Sequence, residues 1–115
     1  MAVGTINNPN SVETGVCTQI ANGTVEVNSV FKTGNICFVS YQLTGASIAG
    51  NQGAICQLQE GFRPKRTVQF AGVVTYAGAV NIQNLVIYPD GNIKTNIGSN
   101  TVTAVYLRNI VFPLA

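Results

Sequence analysis

The chain of 115 residues contains no histidine and no tryptophan. Without histidine, Ser-His-Asp and Cys-His catalysis are excluded, and so are the usual zinc sites. The four acids, Glu13, Glu26, Glu60 and Asp90, are widely spaced, whereas a glycosidase needs two carboxyl groups facing each other across a cleft. Neither a GxxxxGK[ST] nor a GxGxxG phosphate-binding motif is present. These absences predict that the chain is not an enzyme and uses no cofactor.

Charged side chains are the scarcest feature of the composition. They make up about 25% of a typical soluble protein but 9% of this one, while 46% of its residues are hydrophobic. That hydrophobic content is ample for one buried core, and a chain of this length fits one domain. The shortage of charge predicts that partner chains cover part of the surface, with compositional bias as the alternative explanation.

The net charge of +2 is too small and too scattered to predict a nucleic-acid partner. The one basic cluster, Arg63, Lys65 and Arg66, is interrupted by Pro64, and we interpret it as a solvated loop rather than a phosphate-binding patch. The sequence shows neither a signal peptide nor an apolar run of membrane-spanning length. It therefore predicts synthesis in a cytoplasm, with no membrane insertion.

Three cysteines, Cys17, Cys37 and Cys56, follow one another at intervals of about twenty residues, without CxxC spacing. An odd count excludes a framework in which every cysteine is paired, and the spacing does not match a zinc site. Each cysteine lies among apolar residues. We therefore expect reduced thiols packed in the core and no bound metal.

The hydrophobic pattern is one of short strands separated by glycine, asparagine and proline. Strands are predicted at residues 24–31, 36–43, 54–58, 67–75, 80–88, 93–97 and 101–112. The glycine-rich residues 44–53 are predicted to form a loop, and Asp90-Gly91 a tight turn. This pattern predicts an all-β domain, an antiparallel β-sandwich or barrel over residues 15–115, preceded by a lead-in segment over residues 1–14.

Residues 36–43, with the sequence ICFVSYQL, carry apolar side chains on both faces of the predicted strand. One face holds four side chains, Cys37, Val39, Tyr41 and Leu43. Ile36 and Phe38 lie on the other face. A strand that is apolar on both sides is typical of one that is covered on both sides, at least at its start.

An ordered set of motifs is more specific than the composition. Residues 58–65 read LQEGFRPK, residues 85–97 read LVIYPDGNIKTNI, and residues 110–113 read IVFP. This order resembles the C-terminal domains of tail-fibre, baseplate and receptor-binding proteins from phages and prophages of Gram-positive bacteria. In those domains a P-E-G-F/Y-R-P corner precedes an I-x-x-D-G-x-I hairpin and a terminal I-x-F/Y-P. Here Gln59 stands in place of the leading proline.

The resemblance implies a homotrimeric, jelly-roll-like head domain at the tip of a phage tail. Such heads recognise saccharides or phosphosaccharides of the host cell wall and assemble with other tail or baseplate proteins. Within the motifs, Phe62 would anchor the corner to the core, and Asp90-Gly91 would set the register of its hairpin. The most recognisable residues are thus expected to have structural roles.

Saccharide sites commonly combine an aromatic platform with amide, carboxylate or guanidinium side chains that hydrogen-bond hydroxyl groups. Tyr76 and Asn81 flank a predicted loop, while Tyr106 and Arg108 lie two residues apart on one strand face with Asn109 beside them. These five residues are the predicted ligand-binding set. The alternative is that each of them takes part in ordinary strand packing or lies at a solvated edge.

Two other functions are compatible with the same sequence. A structural module of a tail or baseplate would share the motifs and the low charge but bind no glycan. A free-standing, lectin-like carbohydrate-binding domain would share the β architecture but bind sugar as a monomer.

Overall fold

The computed structural model describes residues 11–114, which form eight β-strands and no helix, hence none that could cross a membrane. The strands are β1 (Val12–Gly15), β2 (Cys17–Gln19), β3 (Thr24–Thr33), β4 (Ile36–Thr44), β5 (Ile48–Leu58), β6 (Val68–Tyr76), β7 (Ala79–Ile87) and β8 (Asn92–Pro113). All their pairings are antiparallel. The prediction of an all-β, antiparallel fold is confirmed, and the sheet is nearly closed and barrel-like.

Strands β3, β4, β6 and β7 match the predicted segments to within two residues at each end. The prediction of a loop over residues 44–53 was wrong from residue 48 onward, where β5 begins. Three register shifts between Ala49 and Cys56 break the alternation of side chains by which a strand is recognised. The two strands predicted at 93–97 and 101–112 are parts of the single strand β8.

The sheet closes on itself through the first described residues. Its strands follow the order β1-β3-β4-β8-β5-β2. Only Val16 separates β1 from β2, so these two short strands bring the two edges of the sheet together. Residues 1–10 of the predicted lead-in segment lie outside the described part of the chain. The end of that segment belongs to β1, which pairs with β3.

Two side chains complete this closure where strand pairing is interrupted. The side-chain amide of Asn28 in β3 accepts a hydrogen bond from the backbone N–H of Cys17 (2.9 Å) and donates one to its carbonyl (2.8 Å). The backbone N–H of Val16 donates to Gln59 Oε1, and its carbonyl accepts from the Gln59 N–H. Asn28 therefore supplies the donor and the acceptor that a neighbouring strand would provide.

Among residues 11–114, the β6–β7 hairpin joins the sheet only through β8. Residues 85–87 of β7 pair with residues 93–95, and residues 73–76 of β6 pair with residues 102–106. Because every pairing is antiparallel, the two halves of β8 run in opposite directions relative to the hairpin. Gly98 lies between these two paired parts of β8 and has a φ of 96°, a backbone conformation that favours glycine.

The interior of the sheet is apolar. Of the two apolar faces predicted for β4, the one that holds Cys37, Val39, Tyr41 and Leu43 is fully buried. Ile36, on the other face, is 37% exposed, so the cover on both sides that was expected at the start of the strand is not found there among the described residues. On the other side of β4, Phe38 stacks on Phe31 of β3, with 4.7 Å between ring centroids. The hydroxyl of Tyr41 has no hydrogen-bond partner among the described residues.

The corner after β5 has the structural role that its motif implied. The Phe62 side chain is buried in the core, as expected, and lies against Gly15. Arg63 Nε donates to the Leu58 carbonyl. In the neighbouring turn, Gly91 adopts a φ of 89°, and the Asp90 carboxylate accepts bonds from the backbone and side-chain N–H groups of Asn92. Those two hydrogen bonds lower the pKa of Asp90.

Replacing Asn28 with alanine tests the closure. We expect Asn28→Ala to lower the free energy of unfolding by about 1–3 kcal/mol, because two backbone groups of Cys17 lose their partner. Urea denaturation measures the change. The matched control is Asn96→Ala, at an exposed position in β8, which we expect to change stability by less than ~0.5 kcal/mol. Equal effects of the two substitutions would contradict the role given to Asn28.

Candidate functional site

An open groove lies where β6 separates from β8. The pairing of these strands ends at Val73 and Tyr106, beyond which β6 follows β7 alone. The space between the diverging strands has a volume of about 320 Å³. Its lining consists of Ala71, Gly72, Val73, Ile82, Tyr106, Arg108 and Ile110. A groove of this size lies at the lower end of the range for small-molecule sites.

Tyr106 and Arg108 are the two predicted ligand-binding residues that the groove brings together. Tyr106 is half-buried beside Val73, and Arg108 is exposed. Within residues 11–114 the only ion pair joins Lys32 and Glu13 (3.7 Å), so Arg108 has no acidic partner there. The arrangement offers an aromatic ring and five unpaired N–H donors to a ligand in the groove.

Asn109 lies next to Arg108 but points elsewhere. It adopts a positive φ of 49° at the irregularity in the β4–β8 register. Its backbone N–H donates to Ser40 Oγ (2.9 Å), and the Ser40 hydroxyl donates in turn to Asn109 Oδ1 (3.4 Å). In this conformation the Asn109 side chain is directed to β4, away from the groove.

Tyr76 and Asn81 lie on the opposite face of the hairpin from Tyr106. Tyr76 is the last residue of β6 and packs against the core, and its hydroxyl accepts a hydrogen bond from Gln83 Nε2 (2.9 Å). Asn81 pairs with the buried Val74 and donates to the Ala79 carbonyl (3.0 Å). The structure thus divides the five predicted residues among three places, and a ligand-binding role stays a prediction for each of them.

The groove opens onto the solvent side of the sheet, here called the outer face. Strand register places five of its side chains in one row across β3, β4, β8, β6 and β7: Val27, Gln42, Tyr106, Val73 and Ile82. Ile82 is 74% exposed, and Val80, two residues away, is 68% exposed. The residues on the inner side of the same hairpin, such as Val74 and Leu85, are fully buried. The hairpin is therefore apolar on both faces, although one face is exposed.

One acid lies on the outer face together with Arg108. Glu26 is exposed at the register shift of β3, and its carboxylate accepts a hydrogen bond from Gln42 Nε2 (2.8 Å). Like Arg108, it has no ion-pair partner within residues 11–114. Sequence reasoning considered Glu26 only as a catalytic acid. Its placement depends on the register of β3 and β4, which the residue pattern does not reveal.

The three thiols lie in the core, away from the groove. Burial, followed by the neighbouring Cys17 thiol, raises the pKa of Cys37 to about 11. A hydrogen bond with Cys17, followed by burial, raises the pKa of Cys56. Burial also raises the pKa of Tyr41. No group of three metal-ligating side chains able to hold an ion occurs between residues 11 and 114. With their pKa values raised, the Cys37 and Cys56 thiols and the Tyr41 hydroxyl are neutral at physiological pH.

Comparison with known proteins adds no relative: no protein-family model matches the chain, and searches of curated proteins and of solved structures gave no significant match. The resemblance to phage tail heads consequently stays a prediction from the sequence motifs.

The raised thiol pKa predicts a loss of stability at high pH. Between about pH 9 and 11 the Cys37 thiol ionises in the unfolded chain but stays protonated in the folded one. The unfolded state then binds fewer protons, so the free energy of unfolding falls as the pH rises. Urea denaturation at pH 8 and pH 10.5 measures this fall. Cys37→Val should show a smaller fall than the unsubstituted chain, and equal falls would contradict the assignment.

Proposed function

We propose that this chain is a host-adhesion head domain of a phage tail, which recognises a cell-surface saccharide and acts as a homotrimer at the tail tip. The observation that carries the proposal is the pairing of Tyr106 with Arg108 in an open groove. The ordered motifs around Phe62 and Asp90 supply the phage context. Their structural roles in the corner and the turn are compatible with it.

The chemistry of the groove supports the proposal of saccharide binding. A sugar ring presents apolar C–H groups to an aromatic face, and its hydroxyl or phosphate oxygens accept hydrogen bonds. Tyr106 provides the ring, and the guanidinium of Arg108 provides donors without a competing carboxylate within residues 11–114. A shallow site of this kind binds weakly alone, and repetition on a trimer and on a particle can strengthen attachment ~10²–10⁴-fold.

A second candidate function is a structural module of a tail or baseplate that binds no glycan. The observation that favours it is the aliphatic character of the outer face, where Val80 and Ile82 are more than two-thirds exposed. Aliphatic side chains offer no hydrogen bonds to hydroxyl groups. They are suited to packing against another protein.

Substitution of Tyr106 separates the two candidates. If the groove binds saccharide, Tyr106→Ala should weaken binding of purified cell-wall polysaccharide roughly tenfold, equivalent to ~1.4 kcal/mol. The matched control is Tyr88→Ala, because Tyr88 is half-buried beside Gln52 and Lys94, outside the groove. Calorimetry or a cell-adhesion assay measures the binding, and circular dichroism verifies folding. An intact head that binds no wall polysaccharide of any Gram-positive host would favour the structural module.

A further inference from the structure

Two of the three buried thiols lie together where β2 pairs with β5. Cys17 is the first residue of β2 and pairs with Leu58, while Cys56 lies two residues before Leu58 on β5. Side chains two residues apart on a strand point to the same face, so Cys17 and Cys56 are diagonal neighbours on one face of the sheet. A hydrogen bond joins their thiols, and both residues belong to the apolar core.

The backbone hydrogen bonds around Cys17 and Leu58 favour close approach of the side chains. The N–H of Leu58 donates to the Gly91 carbonyl, and the N–H and carbonyl of Cys17 bond to the Asn28 side chain. All these groups point away from the space between β2 and β5. Cys17 and Leu58 therefore form a non-hydrogen-bonded pair, the kind in which side chains on neighbouring strands come closer together.

The short strand β2 gives an oxidant access to these thiols. It pairs with β5 over three residues, and on its other side the Asn28 side chain holds the backbone of Cys17. Thr18 and Gln19 are exposed. A short strand with few contacts opens locally at a low cost in free energy. Such an opening would expose Cys17 before Cys56, because Cys56 belongs to the 11-residue strand β5.

We propose that Cys17 and Cys56 are a site of thiol–disulfide exchange, at which a low-molecular-weight disulfide such as oxidised glutathione links the two cysteines to each other. Cys17, as the thiolate, attacks one sulfur of that disulfide and releases one glutathione. Cys56 then displaces the second glutathione from the mixed disulfide. The two cysteine thiols lose two protons and two electrons in all, and oxidised glutathione gains them as two thiols.

The bond would tie β2 covalently to β5, at the shortest strand of the described sheet. Diagonal neighbours are farther apart than directly opposed residues, so we expect the bond to be strained and therefore easily reduced. A reducing cytoplasm keeps the thiols free, and oxidising surroundings favour the bond. The site goes beyond the proposed function and needs no saccharide, so either proposal can fail without the other.

Oxidation of the folded chain tests the site. Incubation of the intact chain with oxidised glutathione should lower its mass by about 2 Da and leave one thiol that can be alkylated. Chymotrypsin cuts after Phe38 and Tyr41, which separates Cys37 from Cys56. Digestion without reductant should then give one linked pair of peptides, containing Cys17 and Cys56. A folded chain that forms no internal disulfide, or one linked through Cys37, overturns the proposal.

The unfolded chain and reduced glutathione are the controls for this experiment. In concentrated urea the same treatment should give a mixture of pairings that includes Cys37, because strand register no longer selects the partners. An excess of reduced glutathione should return both thiols in the folded chain. The same mixture of pairings in the folded and the unfolded chain would show that the fold does not select Cys17 and Cys56, and would overturn the proposal.

Cys37→Val and Cys56→Val form a matched pair, since both replace a fully buried cysteine. Cys37→Val should still form the bond, and oxidation should raise its urea midpoint by roughly 1 M, because the bond constrains the unfolded chain. Cys56→Val should form no internal disulfide and show no such rise. Equal responses of the two variants would count against the site. Circular dichroism verifies folding, and the peptide map of the unsubstituted chain decides the matter without either variant.

Discussion

The whole sheet depends on the pairing of one strand. β8 pairs with β4 and β5 along one side and with β6 and β7 along the other, and its length of 22 residues lets it reach all four. Without this strand the β3–β4 and β6–β7 hairpins share no edge. The burial of Ile93, Val105 and Phe112 shows that β8 also contributes to the core along its length. The groove exists because β6 follows β8 for a few residues and then leaves it.

Between β1 and β2, the closure of the sheet relies on polar side chains rather than on strand pairing. Asn28 bonds to the backbone of Cys17, and Gln59 bonds to that of Val16. Their amides carry both a donor and an acceptor, which lets one side chain replace a backbone neighbour. In a chain with few charged residues, amide side chains thus stabilise the fold through hydrogen bonds that do not depend on pH. By contrast, the raised pKa of the buried Cys37 thiol predicts a stability that falls at alkaline pH.

Sequence patterns were informative wherever side chains alternate regularly. The grouping of four apolar side chains on one face of β4 and the buried position of Phe62 followed from the sequence and are confirmed. The first part of β5 did not follow, because its register shifts and its glycines hide the alternation. For the site, the spacing of Tyr106 and Arg108 sufficed to place them together. The separation of Tyr76 and Asn81 from them, and the position of Glu26, depend on strand register, which only the folded sheet establishes.

The position of β8 along the chain has a consequence for folding. Of the eight strands within residues 11–114 it is synthesised last, yet it is the strand against which four others pair. Nascent chains emerge from their N-terminal end, so the hairpins made earlier must wait with unpaired edges and exposed apolar faces until the C-terminal residues are available. Long-range strand pairing of this kind is intrinsically slow. A chain truncated before β8 would therefore lack the strand that unites its hairpins. The sheet can be completed only in a chain that includes β8.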